Sequence, residues 1–247
     1  MNTSQDSGNA TNIANFKNLI NFCIGFGAGY NPTKDALKVP NLQSQLNTAN
    51  TLLQQSITNE TVYIQATDTR RDLFAQIKPL ATKILNAFSV SGVPDSALAE
   101  VKTINRKIQG KRASSSEKSA SIAVEGERPQ PKSISSSQQS YEYLVEHFYT
   151  LIELIRSHAE YNPNEDALKV STLQAYLTDL QNANNNVMVA NTAWTISRAA
   201  RNKCLYSPET GLVDTALDVK NYIKAVFGTS SVEYGMVKGI PFKDAKL

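Results

Sequence analysis

Apolar residues recur at spacings of three and four along most of the chain, which is typical of amphipathic α-helices. In the range 141–161 they fall on one helical face, while glutamates lie on the other. The apolar positions of this helix are Leu144, Phe148, Leu151, Ile152 and Ile155. Few segments alternate strictly between apolar and polar residues, and β-branched residues do not cluster. The pattern therefore predicts an all-α protein, with early helices at 12–29 and 141–161.

Two longer helices are predicted at 42–74 and 173–205, because neither range contains proline or glycine. At 1.5 Å per residue each helix is about 50 Å long. The residues on one face of each helix follow steps of four and three, as they do in the seam of a coiled coil. The apolar members are Leu42, Leu46, Ala49, Leu53 and Phe74 in the first helix, and Leu173, Leu177, Leu180, Val187 and Leu205 in the second.

One block of sequence occurs twice. Tyr30 begins the segment YNPTKDALKVPNL, and Tyr161, 131 residues later, begins YNPNEDALKVSTL. Nine of the thirteen positions are identical, which indicates an internal duplication. Each copy is expected to contain a short helix, a long helix and a second short helix. The last of these is expected at 80–88 in copy 1 and at 219–227 in copy 2, where the two sequences match weakly.

The duplication predicts an internally duplicated helical bundle, in which the copies pack against each other with pseudo-twofold symmetry. We divide the chain into a disordered N-terminus at 1–11, helical repeat 1 at 12–110, a flexible linker at 111–140 and helical repeat 2 at 141–247. Ten of the thirty linker residues are serine, and few are large and apolar. Both copies are expected to end in short non-helical tails, at 101–104 and 237–240.

The composition agrees with that of a soluble protein, with 41% hydrophobic and 19% charged residues and a formal net charge of +3. Cys23 and Cys204 do not occupy matching positions in the two copies, so we expect free thiols. The polar N-terminus lacks the pattern of a secretory signal. The longest apolar run, at 19–30, is too short to span a bilayer and contains three glycines. We therefore expect a cytoplasmic location.

A basic run lies before the linker, with no acidic residue between Glu100 and Glu117. Its members are Lys102, Arg106, Lys107, Lys111 and Arg112. Such a run could bind nucleic acid or anionic lipid. We favour a simpler interpretation, in which the solvated end of a helix runs into the linker, and we do not expect nucleic acid as a partner.

The middle of both long seams is polar or aromatic where an apolar stripe is expected. The candidate ligand residues are Glu60, Tyr63 and Arg70 in the first helix, and Asn191, Trp194, Arg198 and Arg201 in the second. One interpretation is a polar pocket between the copies, in which paired arginines bind an anion bidentately. The other is that polar pairs set the register of the helices, or that the seam has rotated toward solvent. We favour the second.

The residue patterns predict no catalytic, metal or cofactor site. His147 and His158 are about three helical turns apart, which is too far for both to bind one metal ion, and we expect both at the surface or at a rim. No cysteine has an evident histidine partner, and no nucleophile-elbow motif is present. The segment Gly25-Phe-Gly-Ala-Gly29 is similar to part of a dinucleotide-binding loop, but no strand precedes it. Close helix packing is the favoured explanation of these glycines.

Four runs in copy 2, beginning at Arg201, Gly211, Val219 and Ser231, together with the two Tyr-Asn-Pro blocks, resemble a group of uncharacterised bacterial helical proteins. The resemblance covers most of copy 2 and the centre of copy 1. It implies a bacterial, helical and duplicated protein, and it implies no catalytic residues.

Three hypotheses about function follow. The first is a non-enzymatic soluble helical-bundle protein that acts as an interaction or scaffold module, with an unknown protein partner or a second copy of itself. The second is a membrane-active protein with amphipathic helices. The third is a binder of small anions or nucleotides that uses the arginine-bearing seam. We favour the first.

Overall fold

The computed structural model describes residues 3–111 and 139–244, with side chains from residue 8 onward. The described residues form eight α-helices and no strand, which confirms the all-α prediction. The helices are α1 (Thr3–Gly25), α2 (Val39–Ala75), α3 (Ile77–Ser89), α4 (Asp95–Gln109), α5 (Tyr141–Arg156), α6 (Val170–Tyr206), α7 (Leu212–Phe227) and α8 (Val232–Lys238).

The long helices α2 and α6 are both 37 residues long and begin 131 residues apart, the same offset as the repeated block. Each is a continuous helix that includes the whole of the predicted range, 42–74 or 173–205. The absence of proline and glycine from these ranges was therefore a reliable signal, because either residue would have weakened or interrupted the helix.

The chain forms two compact units, and neither coincides with a predicted repeat. Unit 1 is formed by the described residues of Met1–Tyr63 and Ala190–Leu247, and unit 2 is Ile64–Val189. Unit 1 therefore combines the first part of copy 1 with the last part of copy 2. Unit 2 combines the last part of copy 1 with the first part of copy 2. Both long helices contribute residues to both units.

In unit 1, α1 packs against α7 and α8. The apolar face of α1 supplies Phe16 and Leu19, which are fully buried, and α7 supplies Val219 and Ile223 to the same core. The long helices add Leu42, Leu46, Ala49 and Leu53 from α2 and Leu205 from α6. Because this core draws on helices of both copies, neither copy could bury these apolar faces alone.

In unit 2, α5 packs against α3 and α4 in the corresponding way. Phe148 and Leu151 of α5 share a core with Ile84 and Phe88 of α3, and all four are fully buried. The long helices add Phe74 from α2 and Leu173, Leu177 and Leu180 from α6. The apolar spacing that predicted these helices therefore identified the residues that form the core.

The repeated block has the same local structure in both copies. The Tyr30 hydroxyl donates a hydrogen bond to the Leu37 carbonyl oxygen at 2.8 Å, and the Tyr161 hydroxyl donates to the Leu168 carbonyl oxygen at 3.0 Å. Each bond encloses a short 3₁₀ helix of sequence Asp-Ala-Leu. The lysine after each of these helices forms a 2.6 Å ion pair with the aspartate that begins it. The residues that are identical in the two blocks therefore form the same turn in both copies.

The glycine segment also has a packing role. A Cβ atom at Gly29 would lie 3.0 Å from Cζ of Phe227, which is closer than side chains normally approach. The Phe227 ring contacts Phe26 as well, with ring centroids 5.4 Å apart. The close packing expected of these glycines is confirmed only at Gly29, where the approaching ring belongs to the other copy. It is wrong for Gly25 and Gly27, because a Cβ atom at either would meet nothing within 4 Å.

Three predictions about chain ends and boundaries need correction. The disordered N-terminus predicted at 1–11 is wrong for residues 3–11, because α1 begins at Thr3. The non-helical tails predicted at 101–104 and 237–240 are also wrong in part, because 101–104 lies within α4 and Val237 within α8. Most of the predicted linker, including Arg112, lies outside the described residues.

The start of α1 could not be predicted from apolar spacing, because its buried residues include polar ones. Asn9 and Asn12 are buried although neither is apolar. The Asn12 amide donates to the Lys243 carbonyl oxygen at 2.8 Å, and its own oxygen accepts from the Lys243 backbone N–H at 3.0 Å. This pairing satisfies the amide without water, so burial costs little. A hydrophobic pattern cannot reveal such a contact.

The repeated tyrosines provide a test of this local structure. We expect Tyr30→Phe and Tyr161→Phe to lower the free energy of unfolding by similar amounts, about 1–2 kcal/mol each, because each leaves a backbone carbonyl without its hydrogen bond. Urea denaturation followed by circular dichroism measures both losses. The exposed Tyr149 is the control, and Tyr149→Phe should change stability by less than about 0.5 kcal/mol. Losses as small as the control's would contradict the assigned role.

Candidate functional site

The structure separates the seven candidate residues of the polar seam. Six of them, namely Glu60, Tyr63, Asn191, Trp194, Arg198 and Arg201, belong to unit 1, and Arg70 belongs to unit 2. Asn191 is exposed, whereas Glu60 is partly buried. Tyr63, Trp194 and Arg198 form an aromatic stack, and Arg201 lies in a separate buried polar cluster.

The aromatic stack joins the two long helices within unit 1. The rings of Tyr63 and Trp194 lie nearly parallel, with centroids 5.2 Å apart and planes 19° apart. The Arg198 guanidinium carbon lies 4.9 Å from the centroid of Trp194, which is a cation–π geometry. One turn away, the Asn59 side-chain amide donates to the Ala193 carbonyl oxygen at 3.2 Å. Arg198 is therefore engaged by a ring of its own helix.

Arg201 lies at the centre of a buried cluster, with only 4% of its surface exposed. Its Nη1 donates to the hydroxyl of Ser56, also buried, at 3.2 Å. Its Nε and Nη2 donate to the Asn202 side-chain oxygen at 3.2 Å and 3.1 Å. This guanidinium is held by protein groups on more than one edge, as burial of a charged group requires.

Asn9 and Tyr206 extend the same cluster. In the amide orientation that satisfies both ends of its side chain, Asn9 donates to the Tyr206 hydroxyl at 2.6 Å. It then accepts from Nε and Nη2 of Arg201 at 3.3 Å and 3.2 Å. The Asn12 amide reaches the same hydroxyl at 3.3 Å. The cluster therefore ties the start of α1 to the end of α6.

Arg70 has a different environment, in unit 2. Its guanidinium carbon lies 4.1 Å from the centroid of the Tyr141 ring. Its Nε atom is buried and has no hydrogen-bond partner among the described residues. The seam positions Arg70 and Arg201 are equivalent in the two copies, yet they contact different groups. Binding of an anion by a pair of seam arginines stays a prediction.

The titratable groups of the two cores are mostly shifted toward their neutral forms. Burial raises the pKa of the Cys23 thiol to about 11 and also raises the pKa of Cys204, and neither cysteine is in a disulfide. Burial likewise raises the pKa of Tyr161 to about 12. Neutral, buried thiols are poor nucleophiles.

His147 is a buried residue that the sequence did not identify. It lies on the core face of α5, and its Nε2 atom has no hydrogen-bond partner among the described residues. Burial, followed by the positive charge of Lys107, lowers the pKa of this imidazole. Helical spacing was the sequence signal for this burial. His147 lies three residues after Leu144 and four before Leu151, and both leucines are buried. The expected surface or rim position is therefore wrong for His147, which is buried.

Across residues 3–111 and 139–244, no three histidine, cysteine, aspartate or glutamate side chains lie together as a metal site would require. In the same ranges, no helix is both long enough and apolar enough to cross a membrane. Comparisons with protein-family models, curated proteins and solved structures found no match for this chain.

Arg201 and Arg198 form a matched pair for a stability test. We expect Arg201→Met to lower the free energy of unfolding by about 2–3 kcal/mol, because it leaves buried hydrogen-bonding groups of the cluster unsatisfied. Arg198→Met removes only a cation–π contact and should cost less than about 1 kcal/mol. Urea denaturation of both variants measures the difference. Equal losses would show that the cluster does not stabilise unit 1.

His147 predicts a loss of stability in acid. Because the folded state lowers the pKa below the ordinary 6.5, the unfolded chain binds this proton more readily. The contribution of His147 is therefore unchanged above pH 6.5 and becomes destabilising as pH falls below it. We expect His147→Leu to weaken the decline in melting temperature between about pH 7 and pH 5. His158→Leu is the control, and a decline that persists in His147→Leu would exclude His147 as its source.

Proposed function

We propose that the protein is a non-enzymatic helical-bundle protein that acts through its surface, as an interaction or scaffold module. The observation that supports this proposal is the exposure of large apolar side chains in the middle of the long helices. In unit 1, Ile57 is 44% exposed, Val62 is 48% exposed and Ile196 is 64% exposed. Large apolar side chains that are exposed to water can contribute to a protein-binding site.

The packing of unit 1 explains this exposure. Its apolar core includes Leu53 of α2 and Leu205 of α6, but no residue between Leu53 and Tyr63. In that part of α2, the contacts to α6 run through Ser56, Asn59 and Tyr63, which are polar or aromatic. Val62 is adjacent to the stacked Tyr63. Ile196 lies two residues after the stacked Trp194, so its side chain leaves α6 about 160° away from that ring. A partner that covered these side chains would remove apolar surface from water.

We propose further that the two copies are related by an internal twofold operation, as the duplication predicts. Tyr63 and Trp194 occupy equivalent positions, 131 residues apart, and they stack on each other. Contact between equivalent residues is what an isologous arrangement produces at its axis. The exchange of parts between copies in both units supports the same relation.

The two other hypotheses have less support. The apolar segment considered for membrane insertion contains Leu19, Ile20 and Cys23, which are buried in the core of unit 1. Insertion would therefore require that core to open. The anion hypothesis depends on arginines that already contact protein groups, Ser56 and Asn202 for Arg201 and Tyr141 for Arg70. Membrane activity, anion binding, the bacterial resemblance and the cytoplasmic location stay predictions.

Self-association is the most direct test of the exposed apolar surface. We expect the wild-type protein to show a sedimentation mass that rises above 27.1 kDa with concentration. Val62→Lys combined with Ile196→Lys should hold the mass at 27.1 kDa, because two charges oppose burial of the surface. Val232→Lys is the matched control, since Val232 is 70% exposed but lies on α8, and it should associate like the wild type.

A wild-type protein that stays at 27.1 kDa up to about 200 μM would exclude a second copy as the partner, since specific interfaces bind far more tightly. A photocrosslinking residue at position 62, and another at position 232, would then be compared in cells of the source organism. Capture of a protein from position 62 alone would support the proposal. Equal capture from both positions, or none from either, would reject it.

A further inference from the structure

Unit 2 contains a groove of about 550 Å³ beside the second copy of the repeated block. One wall is formed by α3 and the turn after it, including Lys83, Asn86 and Ala87. The other wall is the segment 160–168, with Glu165 at its rim and Leu168 in its lining. This volume lies within the range of small-molecule sites.

The corresponding place in unit 1 is occupied by the protein's own side chains. There, Lys34 of the first block forms a 2.7 Å ion pair with Asp218 of α7. The ring of Tyr222, also on α7, meets the ring of Tyr30 edge-on, with centroids 5.3 Å apart. The first block and α7 are therefore joined directly by one ion pair and one aromatic contact.

Three sequence differences prevent this closure in unit 2. Glu165 occupies the position equivalent to Lys34 in the repeated block. In the match between 80–88 and 219–227, Lys83 corresponds to Tyr222, and the preceding residues place Pro79 opposite Asp218. The alignment is supported by Ile84 and Ile223, which correspond and are both fully buried. The Lys34–Asp218 ion pair and the Tyr30–Tyr222 ring contact therefore have no counterpart at these positions, and Tyr161 contacts Phe88 instead, with ring centroids 5.8 Å apart.

The open groove carries opposite charges on its two walls. Lys83 and Glu165 are both exposed, and neither forms an ion pair with a residue in the described ranges. Glu160 adds a second carboxylate on the wall of Glu165, with its Oε2 atom 3.9 Å from Nδ1 of His158. Asn86 and Asn162 contribute amides, while Ala87 and Leu168 provide apolar surface between the charges.

We propose that this groove binds a small zwitterionic ligand, a short peptide with free termini. The ligand carboxylate binds Lys83 with support from the Asn86 amide, and its ammonium group binds Glu165 and Glu160. Apolar side chains of the ligand lie over Ala87 and Leu168. Each charged contact is of the charge-assisted kind, in which direction and sign select the ligand. In unit 1, Tyr222 and the Lys34–Asp218 pair occupy the equivalent place.

The probe for this site is the dipeptide Leu-Leu with free termini, added to the full-length isotope-labelled protein in an NMR titration. We expect saturable shifts in amide signals of residues 83–91 and 160–168. Lys83→Met and Glu165→Gln should each weaken binding by about tenfold, since each removes one charged contact. Lys83→Tyr, which introduces the side chain found at position 222, should abolish binding by filling the groove.

Two controls separate this site from nonspecific binding. Lys78→Met removes an exposed lysine from the same helix but outside the groove, and it should bind like the wild type. The blocked peptide N-acetyl-Leu-Leu-amide carries neither terminal charge and should bind at least about tenfold more weakly. Equal affinity for free and blocked peptides, unchanged affinity in Lys83→Met, or no shifts with the free peptide would each overturn the proposal. None of these outcomes bears on the apolar surface of unit 1.

Discussion

The fold depends on apolar helix faces that one copy of the duplicated sequence cannot bury by itself. Phe16 and Leu19 of the first copy share a core with Val219 and Ile223 of the second. The reverse pairing forms the other core, in which helix α5 of the second copy packs on α3 and α4 of the first. Burial of a large aliphatic or aromatic side chain contributes about 1.5–3 kcal/mol. Separation of the copies would lose many such contributions at once.

Because each core combines helices of both copies, the ends and the middle of each long helix have different neighbours. The first turns of α2 and α6 carry leucines that enter a core, and the central turns carry polar, aromatic and exposed apolar residues. In unit 1 these central turns are joined by the Tyr63–Trp194 stack and the Ser56–Arg201 hydrogen bond. Such contacts are directional, and they define the register of two antiparallel helices more narrowly than leucines would. The same turns leave Val62 and Ile196 exposed to a partner.

Divergence between the copies has changed the residues that face neighbouring helices more than it has changed the turns. The tyrosine hydrogen bond and the short 3₁₀ helix are the same in both blocks. The residues that face the neighbouring helix differ, with Lys34 in one block and Glu165 in the other. A side chain that forms part of the turn is constrained by the backbone geometry. A side chain at the edge of the block is constrained only by the groups that it contacts. This difference closes the surface beside the first block and leaves a charged groove beside the second.

The sequence alone determined most of the secondary structure, because helical periodicity and the positions of proline and glycine are local properties. They identified 42–74 of α2, 173–205 of α6 and most of the residues that enter the two cores. They missed the start of α1, the helical segments at 101–104 and 237–238, and the burial of His147. The burial of a polar residue depends on neighbours that are distant in sequence. Asn9 and Asn12 form hydrogen bonds with Tyr206, and Asn12 also bonds the Lys243 backbone. Both partners are distant in sequence. Tertiary structure alone decided which copy supplies the partner of each apolar face, because periodicity shows that a face must be covered but not which helix covers it.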